Sequence, residues 1–293
     1  MIRNHFTSLH PAVSFIYFTA TIFFSLFFLH PIQLGISLAG SFACFARLNR
    51  GKAVHYLFRF LLPIIAVMSI VNPFVNHAGK TILLYVNDNP FTLEACLYGI
   101  AAAAMFAAVL TWFSCFNTVM TADKIIYLFG RPFPSLSLVF SMVMRFVPRF
   151  REQAKTIQES QRGIRGGTEP TGFPSRVKSG MKALSILSTW ALENGILTAD
   201  SMKARGYGLS GRTSFRIYSI TNRDKSILII LLVLISTLLL GFLRGEAGVQ
   251  YFPSISVRPA TGISILLYFL YFLLCVFPIL VNSAFEVIDH DRF

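Results

Sequence analysis

The chain has 293 residues, of which 54% are hydrophobic and only 13% charged, with 30 phenylalanines and a formal net charge of +13. An apolar fraction this high exceeds what a water-soluble domain of this size carries, and its natural place is a lipid-facing surface. Cys44, Cys96, Cys115 and Cys275 all fall inside apolar stretches and never approach C-x-x-C spacing, and the histidines stand singly with no H-E-x-x-H pair. Neither a redox centre nor a structural metal is expected from residues so placed, and no directly bound cofactor is expected.

The elements are predicted to be helical throughout. Ala12 to Leu29 follows Arg3 and resembles a secretory signal at first sight, but it exceeds a typical signal core and a second apolar stretch begins after only His30. It reads as a retained first span. Pro31 to Ala46 is short for a span and follows with almost no turn, so a tilted, partial or re-entrant segment is expected there. Leu57 to Val75, Leu93 to Phe116, Ser226 to Leu243 and Gly262 to Ala284 complete six apolar stretches, most of them near the roughly 20 helical residues that a bilayer core requires. The fold class is therefore all-α, a polytopic membrane protein with about six membrane helices. Residues 1–120 and 226–293 hold the spans, and 121–225 lie between them.

Lys and Arg orient these spans. With both termini in the cytoplasm, 23 of the 26 cationic residues fall on the inner side, 17 of them between Thr121 and Lys225, and only Lys80, Arg244 and Arg258 fall outside. Membrane orientation thus accounts for most of the positive charge, and a nucleic-acid partner is not needed to explain it.

The 105 residues from Thr121 to Lys225 are too many for a simple loop and too apolar for disorder, so a folded platform is predicted. Thr121 can cap a short helix, Ala122 to Phe129, closed by Gly130 and by Pro132 and Pro134. A second helix starts near Pro134 and runs to Gln161, with a kink expected at Pro148. Around it Phe146, Phe150, Ala154 and Ile157 recur at i+3 or i+4 among charged residues, the mark of an amphipathic helix. The glycines of the stretch 162–167 end it, and Pro170 prevents its resumption. A third helix, about Ser175 to Ala204, shows an apolar face of Val177, Met181, Leu184, Leu187, Ala191 and Leu192. Trp190 is expected on its packed side.

Both long helices finish in Arg-Gly. Arginine suits the negative end of the helix dipole and glycine is the usual cap, so either end alone has a purely structural explanation. A guanidinium at an exposed tip also presents a planar fork of donors to carboxylates and carbonyls of another protein.

Four features together carry a resemblance over nearly the whole chain: Leu9-His10-Pro11, Arg145-Phe146-Val147-Pro148, the Arg-Gly cluster at 162–166, and the ten residues from Ala199 to Gly208. The chain resembles the transmembrane T component, the EcfT/CbiQ-like family, of energy-coupling factor (ECF) transporters, which take up vitamins and transition-metal ions. The resemblance implies two cytoplasmic coupling helices whose tips dock on a pair of ABC-type ATPases, and a separate substrate-binding S component in a bacterial or archaeal cell membrane. Ala204, Arg205 and Gly206 match the second tip signature letter for letter. At the first tip the register leaves two candidates, Arg162-Gly163 and Arg165-Gly166. The resemblance further implies that ATP is used by the partners, in keeping with the lack of a G-x-x-x-x-G-K-[ST] loop in the sequence.

Two rivals fit less well. A membrane enzyme needs converging acids or a nucleophile, and a self-sufficient secondary transporter usually shows ionisable residues at mid-membrane depth, whereas no predicted span has a charge near its centre. The charge distribution predicts that a reporter fused after Gly167 reads cytoplasmic and one after Gly79 or Gly248 reads external. A cytoplasmic signal at Gly248 breaks the six-span arrangement.

Overall fold

The computed structural model describes residues 5–49, 51, 53–86, 89–130, 134–166, 172–209, 218–245, 248–257 and 261–290. Arg3, Arg50, Lys52, Gly167, Pro170, Arg258 and Arg292 lie outside them. Among the described residues the chain is helical apart from two small hairpins. Its helices are α1 (Pro11–Phe27), α2 (Pro31–Leu48), α3 (Ala53–Val75), α4 (Leu93–Val119), α5 (Ala122–Gly130), α6 (Pro134–Ile164), α7 (Phe173–Ala204), α8 (Asn222–Leu243) and α9 (Gly262–His290). The antiparallel pairs are β1 (Ile82–Val86) with β2 (Asn89–Thr92), and β3 (Val249–Gln250) with β4 (Ser256–Val257).

Two compact units result, one from residues 1–121 with 218–293 and the other from 122–217. The first holds every long apolar helix. α2, α3, α4, α8 and α9 are each long and apolar enough to cross a membrane. α2, expected from the sequence to be tilted, partial or re-entrant, reaches 18 residues. The shortest is instead α1, whose 17 residues extend ~26 Å, slightly less than the ~30 Å hydrocarbon core. α3 carries a π-helical turn at Leu57–Leu61, an extra residue's worth of backbone at Arg59 that the apolar pattern does not reveal.

α1, α2, α4, α8 and α9 enclose the core of this unit. Tyr17 and Phe18 of α1, Trp112 of α4 and Tyr271 of α9 are wholly buried. Tyr17 stacks on Phe277 at 5.8 Å and meets Trp112 edge-on at 6.2 Å, and Phe18 meets Phe116 edge-on at 5.8 Å. A polar knot joins four of these helices. Ser25 Oγ of α1 and Ser37 Oγ of α2 share a 2.7 Å hydrogen bond, Ser25 Oγ also bonds Tyr271 Oη at 3.1 Å, and Trp112 Nε1 donates to Ser37 Oγ at 3.2 Å. Where water is excluded these groups must satisfy one another, so they fix the register of α1, α2, α4 and α9 directionally as apolar contact cannot.

The helix starts are specified chemically. Thr221 and Asp224 form a capping box at α8, with Thr221 N donating to Asp224 Oδ2 at 3.0 Å, and His10 N donates to the other carboxylate oxygen at 3.3 Å. That carboxylate ties the entrance of α8 to the entrance of α1. His10-Pro11 and His30-Pro31 repeat one device: proline occupies the first helical position, and the imidazole Nδ1 accepts from Ala12 N at 3.2 Å and Ile32 N at 3.3 Å. An accepting Nδ1 places the proton of the neutral ring on Nε2, so at His30 it is Nε2–H that faces Tyr268 Oη, 3.1 Å away.

Burial lowers the pKa of His30 below the usual histidine value, and a protonated Nδ1 could no longer accept from Ile32 N. A lowered folded-state pKa means that the unfolded chain takes up the proton first as pH falls. The contribution of His30 is therefore intact above about pH 6.5 and is lost as pH drops through the lower folded value. Thermal melting of the detergent-solubilised protein between pH 7.5 and 5 should show this fall, and His30→Asn, which keeps a capping oxygen without a titratable ring, should make it shallower. An unchanged slope in His30→Asn would remove His30 from the acid response.

Candidate functional site

The second unit is built from α5, α6 and α7. α5 turns back on α6, where Ser137 Oγ donates to Ile126 O at 3.3 Å. α6 runs without interruption past Pro148, and its inner stripe of Phe146, Phe150, Ala154 and Ile157 is the amphipathic face that its spacing predicts. Gln161 extends the stripe by one more turn and is buried.

α7 departs from expectation. Val177, Met181, Leu184 and Leu192, assigned from their spacing to the packed face, are exposed, and only Leu187 and Ala191 of that set turn inward. The partly covered stripe is instead Ser179, Ala183, Leu187, Trp190, Asn194 and Thr198, mostly small or polar. Small side chains let α7 lie close on α6, while several bulky apolar ones face outward, an inversion of the usual soluble pattern. Trp190 is half-buried as the knob of this contact. Phe150 meets its ring edge-on at 5.6 Å, and the Arg149 guanidinium lies over it at 5.7 Å. Phe150 and Trp190 each precede the last residue of their helix, Ile164 and Ala204, by 14 positions, so each tip stands ~21 Å along its helix from the crossing.

The tips share one local geometry. α7 ends at Ala204; Arg205 is the C-cap, and Gly206 takes φ of +80°. Gly206 N then bonds Lys203 O and Tyr207 N bonds Met202 O, both at 3.0 Å, which is the Schellman pattern. α6 ends at Ile164, and Gly166 takes φ of +68° with its N–H on Gly163 O at 3.1 Å. Arg165 therefore occupies the place at the first tip that Arg205 occupies at the second. Arg162 and Gly163 lie one turn earlier, inside the helix. Arg162, Arg165 and Arg205 are all exposed, and Arg165 Nε donates to Gln161 O at 3.1 Å. Only the backbone conformation separates the two candidate registers, since a helix accepts an interior glycine at a cost of about 1 kcal/mol and Gly163 alone marks no end.

Among the described residues no group of three or more His, Cys, Asp or Glu side chains is arranged to hold a metal ion. The chemistry available at the tips is recognition by charge and hydrogen bonding.

The sequence profile of the family described as cobalt transport protein, CbiQ, matches residues 4–215, from the entrance of α1 through both tips. The chain belongs to the CbiQ family. Similar proteins are named energy-coupling factor transporter transmembrane protein EcfT. That of Heliobacterium modesticaldum is 25% identical over 226 residues, 71% of this chain and 83% of its own length. That of Lactobacillus helveticus is 28% identical over 158 residues, 49% of this chain and 57% of its own. A putative ABC transporter ATP-binding protein of Bifidobacterium longum is 26% identical over 230 residues, which are 74% of this chain and only 29% of that protein. The chain thus spans less than two thirds of the length of several relatives it matches.

If Trp190 carries the α6–α7 contact, Trp190→Ala should destabilise the platform by about 2 kcal/mol, less than the 3–5 kcal/mol of a fully buried tryptophan. Faster proteolytic cleavage within the platform, largely restored by Trp190→Phe, is the expected readout, and unchanged cleavage in Trp190→Ala would show that the crossing is held elsewhere.

Proposed function

We propose that this chain is the transmembrane energy-coupling component of an ECF-type ABC importer. It would receive ATP-driven motion from two cytoplasmic ABC-type ATPase subunits and pass it to a separate S component that binds the substrate, a vitamin or a metal ion. The carrying observation is the pair of matched tips, Arg165-Gly166 and Arg205-Gly206, in a chain of the CbiQ family. The names of the EcfT relatives support the reading, and so does a relative named as an ABC ATP-binding protein.

In this reading the cap geometry supplies the docking groups. A C-cap residue is the last one held by the helix, so its side chain starts from a rigid base at the final turn; Arg165, whose Nε donates to Gln161 O, would release that bond to reach outward. Arginine there offers parallel N–H donors to an acidic groove, and lysine would supply the charge without the fork. The chain itself is non-catalytic, binds no cofactor and draws ATP hydrolysis from its partners. Both termini face the cytoplasm of a bacterial or archaeal cell, and α6 and α7 are the coupling helices. Ala204 and Gly206 flank the docking arginine at one tip, and Arg162 and Gly163 form the turn beneath Arg165 at the other.

Arg205→Glu should leave the protein inserted in the membrane and cost ATPase assembly at least the roughly 2–5 kcal/mol of truncating one partner of a charge pair buried in an interface. Normal co-purification of the ATPases with Arg205→Glu would sink the proposal. At the first tip Arg165→Ala should reduce uptake more than Arg162→Ala. The double substitution should exceed both single effects combined if the two share one groove. A double variant with intact ATPase binding and uptake would reduce the first tip to a helix cap.

A further inference from the structure

Between α3 and α4 the β1–β2 hairpin carries an apolar surface that the bundle does not use. Ile82, Leu83, Leu84 and Tyr85 are 46%, 51%, 67% and 68% exposed at consecutive positions. The ladder is irregular between Ile82 and Leu84, but Leu84 and Tyr85 pair in regular register with Phe91 and Pro90 and so point to opposite faces, whereas a hairpin resting on a protein in water covers one face and shows polar groups on the other. Neither face of β1 does either, and no charged residue occurs from Thr81 to Val86.

The hairpin is aimed. Its base is pinned to the start of α4, where the buried Glu94 carboxylate accepts from Thr81 Oγ1 at 2.9 Å, Thr81 N at 3.2 Å and Lys80 N at 3.3 Å, while Thr92 Oγ1 donates to Ala78 O at 2.9 Å. Its position along the membrane normal follows from α3, whose 23 residues span ~34 Å against a hydrocarbon core of ~30 Å. The hairpin thus begins where α3 leaves the core. The apolar surface continues across the junction, since Phe74 and Val75 at the end of α3 are exposed and the Phe74 ring meets Phe91 of β2 at 5.7 Å.

We propose that the β1–β2 hairpin is a lipid-interface anchor, with the side chains of Ile82 to Tyr85 in the outer boundary of the acyl layer and the backbone at headgroup level. The depth is limited from both sides. A two-stranded sheet leaves one edge of each strand unpaired, which hydrocarbon does not tolerate, so the strands stay where water and headgroups can bond them. Four consecutive apolar side chains favour leaving that water. Tyr85 fits the aromatic belt of the membrane interface, and the exposed Lys80 can extend to a lipid phosphate. Lipid is favoured over a docked protein because both faces of β1 are bare and continuous with the exposed flank of α3; a docked protein would be expected to cover one.

The full chain, reconstituted in vesicles of phosphatidylcholine and phosphatidylglycerol, tests this by spin labelling. In a Cys96→Ala background, in which the three remaining cysteines are buried, nitroxides are placed at Leu84→Cys and Tyr85→Cys in turn, one on each face of the regular part of the strand. Val71→Cys on the exposed side of α3 and Ser160→Cys on the exposed side of α6 serve as the lipid and water references. Collisions with molecular oxygen should exceed those with a water-soluble nickel chelate at both 84 and 85, as at 71 and opposite to 160. Nickel access at the level of Ser160→Cys places the hairpin in water and overturns the proposal. So does a lipid signal at only one of the two positions, or low access to both reagents, which would mean a second protein covers the strand.

Discussion

A helix that stops abruptly must still satisfy its last carbonyls, and the Schellman turn, one common way to do so, places a residue at positive φ. At both long helices of the platform that residue is glycine, Gly166 and Gly206, and the conformation fixes what precedes it. Arg165 and Arg205 become C-caps, bound to the helix by their backbone yet beyond its last turn. The same arrangement appears twice in unrelated local sequence, Gly163-Ile164-Arg165-Gly166 and Lys203-Ala204-Arg205-Gly206. Everything proposed for the tips rests on this backbone constraint, because it determines which guanidinium leaves the helix end and from how firm a base.

The membrane unit answers a different need. Its helices are almost featureless in apolar pattern, and apolar contact alone lets such helices slide and rotate against one another. Ser25, Ser37, Tyr271 and Trp112 remove that freedom at one level of the bundle, the His-Pro caps fix where α1 and α2 begin, and Asp224 joins the starts of α1 and α8. Two segments separated in the chain by the whole platform are thereby held as one body.

The spans, the all-α class and the location of the long helices were legible in the sequence, because length and continuity of apolar runs report on the solvent directly. Helix ends were legible too, wherever glycine and proline punctuated them. Three things were not. The covered face of α7 could not be read from Val177, Met181, Leu184 and Leu192, since periodicity shows which side avoids water and says nothing of which neighbour provides the shelter. The register of the first tip depends on φ at Gly166, which no counting of residues supplies. The apolar character of β1 was hidden in a connection too short to count as a span, and its meaning emerged only once both of its faces were seen to be bare.

The crossing of α6 and α7 leaves arms of equal length to the two tips, with 14 residues between Phe150 and Ile164 and 14 between Trp190 and Ala204. The opposite arms are slightly longer, 16 residues back to Pro134 and 17 back to Phe173. Rotating either helix by about 5° about the Trp190 contact would carry its tip through ~2 Å, for an arm of 14 residues at 1.5 Å per residue. A given rotation about this contact would therefore displace the two tips equally and the far ends slightly more.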